Sequence, residues 1–224
     1  MDLLTDGLIK CGIPESCVAE LAKKMEAYIN EIVLFNSAYN LTNTSDHDEL
    51  VTRHILDSLA AYKAISALAE GVVGEPAGDA LVFADIGSGG GLPGIPLAAA
   101  FLNDERVKWE LVERMEKRCA FLENCAAILG LKNVTVVNSE AERIAENSYD
   151  LITFRAFRPL DKKMTKTLLR MVRPEGVLCA YKAKMENIRE EMDGIKALVP
   201  EYKVEKLEVP GLEDSERNLV IIKK

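Results

Sequence analysis

The run Leu81-Val82-Phe83-Ala84-Asp85-Ile86 is apolar and β-prone, and it is followed by five glycines within eight residues (Gly87, Gly89, Gly90, Gly91, Gly94) and by Pro93 and Pro96. That order reads as a strand, a tight turn and a helix N-terminus. Glycine supplies positive φ and lets a ligand approach bare backbone. A helix N-terminus adds unpaired N–H groups and a positive dipole end. A chain built around this unit is constrained toward a strand–turn–helix fold with a ligand at the turn.

The rest of the chain agrees with that constraint. Strand patterns fall at 81–86, 107–112, 133–138, 149–154, 176–182, 203–208 and 218–223, and helical patterns at 94–102, 115–129, 160–172 and 185–198. Such alternation predicts an α/β fold, a mostly parallel seven-stranded sheet with helices on both faces. The last two strands are joined through Pro210-Gly211-Leu212 without a helix, so an antiparallel hairpin should close the sheet. Upstream, Val18, Leu21, Met25, Ile29, Ile32 and Phe35 recur at helical spacing over 15–39. A second helix should start near Asp46, with Leu50, His54, Ile55, Leu59 and Tyr62 on one side. Gly71 to Asp79 is rich in Gly and Pro and reads as a linker. The expected division is a helical cap over 1–72 and a sheet domain over 73–224.

Bulk properties narrow the class. The 224 residues are 48% hydrophobic and 29% charged, ordinary for one globular core. No apolar run approaches the roughly 18 residues of a membrane span, and the N-terminus carries no basic-then-apolar leader. The five cysteines (Cys11, Cys17, Cys119, Cys125, Cys179) form no C-x-x-C pair, which fits reduced thiols in the cytoplasm. Only two histidines exist, His47 and His54, seven apart, so no metal is expected. The formal net charge of −8 argues against simple bulk attraction to nucleic acid. The charge is uneven, however. From Thr153 to Arg189 ten Lys/Arg face three Asp/Glu, whereas residues 1–60 carry four against ten. A basic face on an acidic protein is one reading, a solvated helix face the other.

In open parallel sheets, ligands bind at the carboxyl ends of the strands. Gly89-Gly90-Gly91-Leu92-Pro93-Gly94 fits G-x-G-x-x-G, so a dinucleotide is one candidate. Asp85 at the strand end would repel a pyrophosphate, but suits the ammonium group of a methionine-type ligand. Glu113, ending the next strand, can accept the hydroxyls of an unmodified ribose. Together they favour S-adenosylmethionine over NAD, with an unliganded glycine turn as the plain alternative. Glu140-Ala141-Glu142 is placed to flank an adenine or to form a solvated acidic turn.

Thr153-Phe154-Arg155-Ala156-Phe157-Arg158-Pro159 follows the fourth strand. It lacks the Asn/Asp-Pro-Pro-Tyr/Phe of exocyclic-amine methylases. Cys179 lacks the Pro-Cys setting of a cytosine C5 nucleophile. Arg155 offers a planar fork for a guanine edge or a phosphate, and otherwise a structural ion pair. Guanine N7 already has a lone pair, so its methylation needs alignment and electrostatics more than a base. Arg155 is thus the expected catalytic residue. For Arg53 and Asp57, four apart on the second helix and sharing a face, a simple salt bridge is the plain reading.

At these residues the chain resembles the glucose-inhibited division protein B family, the bacterial type G methyltransferases of small-subunit ribosomal RNA. The resemblance is carried by Ala38-Tyr39-Asn40-Leu41-Thr42, Arg53-His54-Ile55-Leu56-Asp57-Ser58, the segment from Asp85 to Leu97, Arg155-Ala156-Phe157, and the segment from Glu216 to Lys223. It implies a class I, Rossmann-like methyltransferase with a helical cap, moving a methyl group from S-adenosylmethionine to N7 of one guanine in 16S rRNA. The partner implied is 16S rRNA or the small ribosomal subunit, an assembly intermediate included, in the bacterial cytoplasm; a monomer without metal or membrane is expected. Cofactor contacts carried over by motif are Gly87, Leu92, Ala141, Glu142 and Arg155. Asp85, Gly89 and Glu113 join them on the chemistry of the strand ends and the glycine turn. Arg53, His54, Lys117, Arg118, Lys182 and Arg217 are the candidates for the RNA side. Ala183 and Asn218 depart from the glycine and histidine common at those family positions.

Overall fold

The computed structural model describes residues 2–71, 80–155 and 160–224. The expected linker past Gly71, and Ala156 to Pro159 after the fourth strand, lie outside the described residues.

Helix α1 (Leu3–Lys10) opens the chain, capped by the Asp2 carboxylate, which accepts from Thr5 N at 2.8 Å. The sequence pattern does not announce this helix. Its eight residues include Gly7, a poor helix former. Gly7 is explained only by packing, since a Cβ there would lie 2.4 Å from Leu56 Cδ1. Helix α2 (Glu15–Tyr39) has the expected bounds and buries Val18, Leu21, Met25, Tyr28, Ile29 and Ile32. It ends at Asn40 in the left-handed conformation, and the Asn36 side chain caps the exit by accepting from Leu41 N and Thr42 N, each at 2.9 Å.

The second expected helix is three pieces in one rod: α3 (His47–Leu50), a π-helical turn (Val51–Leu56) and α4 (Asp57–Leu59). Helix α5 (Tyr62–Gly71) follows as a separate element.

The sheet consists of β1 (Leu81–Ile86), β2 (Val107–Glu113), β3 (Val134–Asn138), β4 (Tyr149–Arg155), β5 (Val172–Lys182), β6 (Lys203–Lys206) and β7 (Asn218–Lys223). Their order is β3-β2-β1-β4-β5-β7-β6. β1 to β5 pair in parallel, Phe83 lying between Trp109 and Leu151. β7 runs antiparallel to both β5 and β6, so the closing hairpin inserts its second strand between its first and the rest of the sheet. β5 begins at Val172, earlier than the expected 176, because an irregularity in its register with β4 near Tyr149 extends the pairing back.

The connecting helices are α6 (Gly94–Ala100), α7 (Glu116–Leu129), α8 (Lys162–Met171) and α9 (Met185–Ile195). One face of the sheet, with Phe83, Trp109 and Leu151, packs against α6, α7 and the N-terminal helices in a single core. The other face, with Ile86, Ile152 and Leu178, packs against α8 and α9. A parallel sheet covered on both faces accounts for the near-continuous apolar strands. The strand order reverses between β1 and β4, which places the crevice for a ligand outside their carboxyl ends.

Candidate cofactor and substrate site

Two cavities open at those carboxyl ends. The smaller, of about 490 Å³, is walled by Gly87, Glu113 with the turn after β2, and Ser139 to Glu142 after β3. The larger, of about 790 Å³, is walled by the glycine turn, Leu41 to Asn43, the π-helical turn and the ends of β4 and β5. Gly87 and Arg118 belong to both walls. A third, larger and more apolar cavity of about 980 Å³ includes Lys223 and Lys224. Lys224 N donates to Gly176 O and its Nζ to Val172 O, where β5 begins, so this cavity lies toward the amino ends of the parallel strands, away from the crevice.

The glycine turn is held from three sides. Gly91 has φ +91°, and a Cβ on it would meet Ile95 Cγ1 at 2.6 Å and Tyr28 Oη at 2.8 Å. Only glycine fits both the angle and the packing. The Tyr28 hydroxyl of α2 donates to Gly90 O. Asp85 is 1% exposed and accepts from Ser88 Oγ at 2.7 Å, Gly94 N at 3.1 Å and Thr153 Oγ1 at 3.3 Å. Burial pushes its carboxyl up to about 6 despite these donors. Asp85 lines neither cavity. Its carboxylate turns inward to the start of α6 and secures the turn.

The other cofactor candidates divide between the cavities. Glu113, Ala141 and Glu142 line the smaller one; Gly89, Leu92 and Arg155 line the larger; Gly87 lines both. Glu113 is buried, its Oε2 accepting from Gly89 N at 3.0 Å and its Oε1 from Met115 N at 2.8 Å. Each oxygen keeps a lone pair for a further donor. The smaller cavity carries Glu113, Glu140 and Glu142 against Arg114 and Arg118, while the larger carries five cations against Asp57 and Glu191. One compartment suits hydroxyl and amino groups, the other an anion.

At the floor of the larger cavity, Asp57 joins two arginines. Arg155 Nη1 donates to its Oδ2 at 2.6 Å, and Arg217 Nε to its Oδ1 at 2.9 Å. The Asp57 side chain is 8% exposed. The ion pair weighed for Arg155 from sequence is thus present, and the same guanidinium faces the cavity. The expected Arg53–Asp57 bridge is absent. Arg53 contacts Glu49 instead, at 3.7 Å. Asp57 follows the π-helical turn and gives its two oxygens to Arg155 and Arg217 instead. No sequence signal announces that turn, and sequence reasoning misses Asp57 as a site residue.

His54 lines the larger cavity with both ring nitrogens buried and unpartnered. Burial, aided by the Arg155 charge, pushes its pKa down to about 4, so its ring is neutral at pH 7. Lys182 pairs with Glu191 at 2.6 Å and stands over the Phe154 ring. Lys117 is exposed and belongs to neither wall, which separates it from the other RNA-side candidates. Asn218 Nδ2 donates to Ala183 O, so the two departures from the family pattern touch one another beside Lys182. Among the described residues no three His, Cys, Asp or Glu side chains gather as a metal site.

The sequence of residues 21–220 matches the family model described as rRNA small subunit methyltransferase G (GidB). The chain belongs to this family. It is 41% identical to the ribosomal RNA small subunit methyltransferase G of Treponema denticola, over 99% of this chain and 94% of that protein. It is 33% identical to the protein of the same name from Neisseria meningitidis serogroup B, over 99% and 97%. Among solved structures, it resembles a SAM dependent methyltransferase from Aquifex aeolicus with a TM-score of 0.53, 20% identity, and coverage of 80% of this chain and 93% of that one. That likeness shows the Rossmann-like methyltransferase fold.

Proposed function

We propose that this chain methylates small-subunit ribosomal RNA with S-adenosylmethionine, at N7 of one guanine of 16S rRNA, guanine 527 by the family resemblance. The observation that carries the reading is the pairing of an acid-lined with a cation-lined compartment at Gly87 and Arg118, beside the glycine turn. Such a site suits a ligand with adenosine hydroxyls at one end and a charged tail at the other, next to room for an anionic nucleic acid. When bound, S-adenosylmethionine supplies an electrophilic methyl group on sulfonium sulfur.

The chain's own contribution is placement. Gly87 and Gly89 offer unobstructed backbone, Glu113 accepts from hydroxyls, and Ala141 and Glu142 flank the base. Arg155, held by Asp57, presents a fork to the acceptor, and Arg53, Lys182 and Arg217 draw in phosphate. Guanine N7 brings its own lone pair, so no protein base or nucleophile is required. In keeping with this, no cysteine lines either cavity, and burial pushes the Cys179 thiol up, away from the reactive thiolate. We place the enzyme in the cytoplasm as a monomer acting on 16S rRNA or on the small subunit. No helix among the described residues is long and apolar enough to cross a membrane.

The test is deletion of the gene followed by mass mapping of 16S rRNA. Loss of one 7-methylguanosine, restored by the wild-type chain, is the expected result; an unchanged map refutes the substrate. Calorimetric titration with S-adenosylmethionine and with NAD tests the cofactor, and binding of NAD alone refutes it.

A further inference from the structure

We infer that Arg118 anchors the carboxylate of the cofactor's amino-acid tail, rather than an RNA phosphate. The inference rests on the crevice being an S-adenosylmethionine site, as proposed above. Arg118 and Gly87 are the two residues shared by the walls of both compartments. Its Nη1 would lie 3.9 Å from a Cβ placed on Gly89, so the guanidinium stands over the glycine turn.

The charge on Arg118 is unmet. Its Nε is buried without a hydrogen-bond partner, and its Nη2 reaches Asn40 O only at 3.4 Å. The two carboxylates of the larger cavity are engaged elsewhere: Asp57 holds Arg155 and Arg217, and Glu191 holds Lys182. Arg118 forms no salt bridge among the described residues. A buried polar N–H without a partner calls for one, and a cation calls for an anion.

The cofactor carries a single anionic group, the carboxylate at the end of its methionine tail. With ribose hydroxyls at Glu113, a tail running over Gly87 and Gly89 would enter the larger compartment past Arg118. An oxyanion is the chemistry this guanidinium fits, and RNA phosphate is its other source. Burial of Nε favours the small anion that lies inside the crevice over a backbone that approaches from outside.

Calorimetry on the full chain distinguishes the two sources, using S-adenosylmethionine and 5′-deoxy-5′-methylthioadenosine, which shares the nucleoside and lacks the amino-acid tail. Arg118→Gln should weaken S-adenosylmethionine by about tenfold to a hundredfold, the loss of one charge-assisted hydrogen-bonded contact. Methylthioadenosine should bind this variant as it binds the wild type, which also reports that the variant is folded. Arg118→Lys, which keeps the charge, should recover part of the loss. Equal losses for the two compounds in both variants overturn the inference. So does unchanged S-adenosylmethionine affinity with weakened binding of a 16S rRNA fragment, which would assign Arg118 to phosphate. A wild-type chain that binds neither compound refutes the cofactor reading itself.

Discussion

The two histidines have opposite surroundings, and their titrations should separate. His47 is half exposed and bonds Glu26 at 2.9 Å and Asp48 at 3.2 Å, which hold its pKa above the usual value. His54 is pushed down to about 4. In a proton NMR titration one imidazole should titrate above pH 6.5 and the other near pH 4; His54→Gln should remove the second. The two shifts act on stability in opposite directions. A depressed His54 binds fewer protons folded than unfolded, so its share of stability is lost as pH falls from about 6.5 toward 4. A raised His47 gives stability that is complete below about 6.5 and lost as pH rises through its folded pKa. At Asp85, the place at a strand end is legible in the sequence, but the direction of the carboxylate is not, because that depends on Gly94 N and Thr153 arriving from elsewhere in the chain. Asp85→Ala strips the acceptor from three donors, two of them side-chain hydroxyls and one a buried amide. A loss of about 2 kcal/mol is expected from the unmet amide and lost bonds, read as a lower Tm, with weaker cofactor binding as a consequence of the loosened turn.

Strands and connecting helices are legible to within a few residues, since apolar period and Gly/Pro punctuation are local. The π-helical turn is not, because Val51 to Leu56 reads as ordinary helix and only packing decides its winding. Asp57, the residue after it, joins the Arg155–Asp57–Arg217 cluster, which ties the α3–α4 rod to the end of β4 and the entry to β7. Removing one partner of a buried pair leaves the others uncompensated. Asp57→Ala should therefore cost about 3 kcal/mol, a fall in Tm of roughly 10 °C. Arg155→Ala should lower Tm as well as turnover; an unchanged Tm would show the pair to be dispensable for folding. At the turn into α6, a Cβ on Gly94 would lie 2.4 Å from Leu111 Cδ2 and 2.8 Å from Asp85 Oδ2. Gly94→Ala should thus spread β1 from α6, abolishing calorimetric binding of S-adenosylmethionine.

For the molecule as a whole, the local excess of Lys/Arg is readable in the sequence while its destination is not. Arg53, Arg155, Lys182 and Arg217 come from four separated stretches of chain and meet around one cavity. An acidic protein with such a focus should still bind 16S rRNA with an inverse dependence on salt, because each neutralised phosphate releases counterions. Filter binding across 50 to 200 mM salt, roughly the range over which such contacts weaken, should show that slope; Arg53→Gln with Arg217→Gln should flatten it.

The Tyr28 hydroxyl on Gly90 O and Leu41 against Gly90 make the N-terminal helices a wall of the crevice. One apolar core also runs from Leu4 through Tyr28 to Trp109 without a seam. The sheet cannot then be borrowed as a portable cassette: a chain trimmed to begin at β1 would expose greasy strands and forfeit its grip on nucleotide ligands in the same cut.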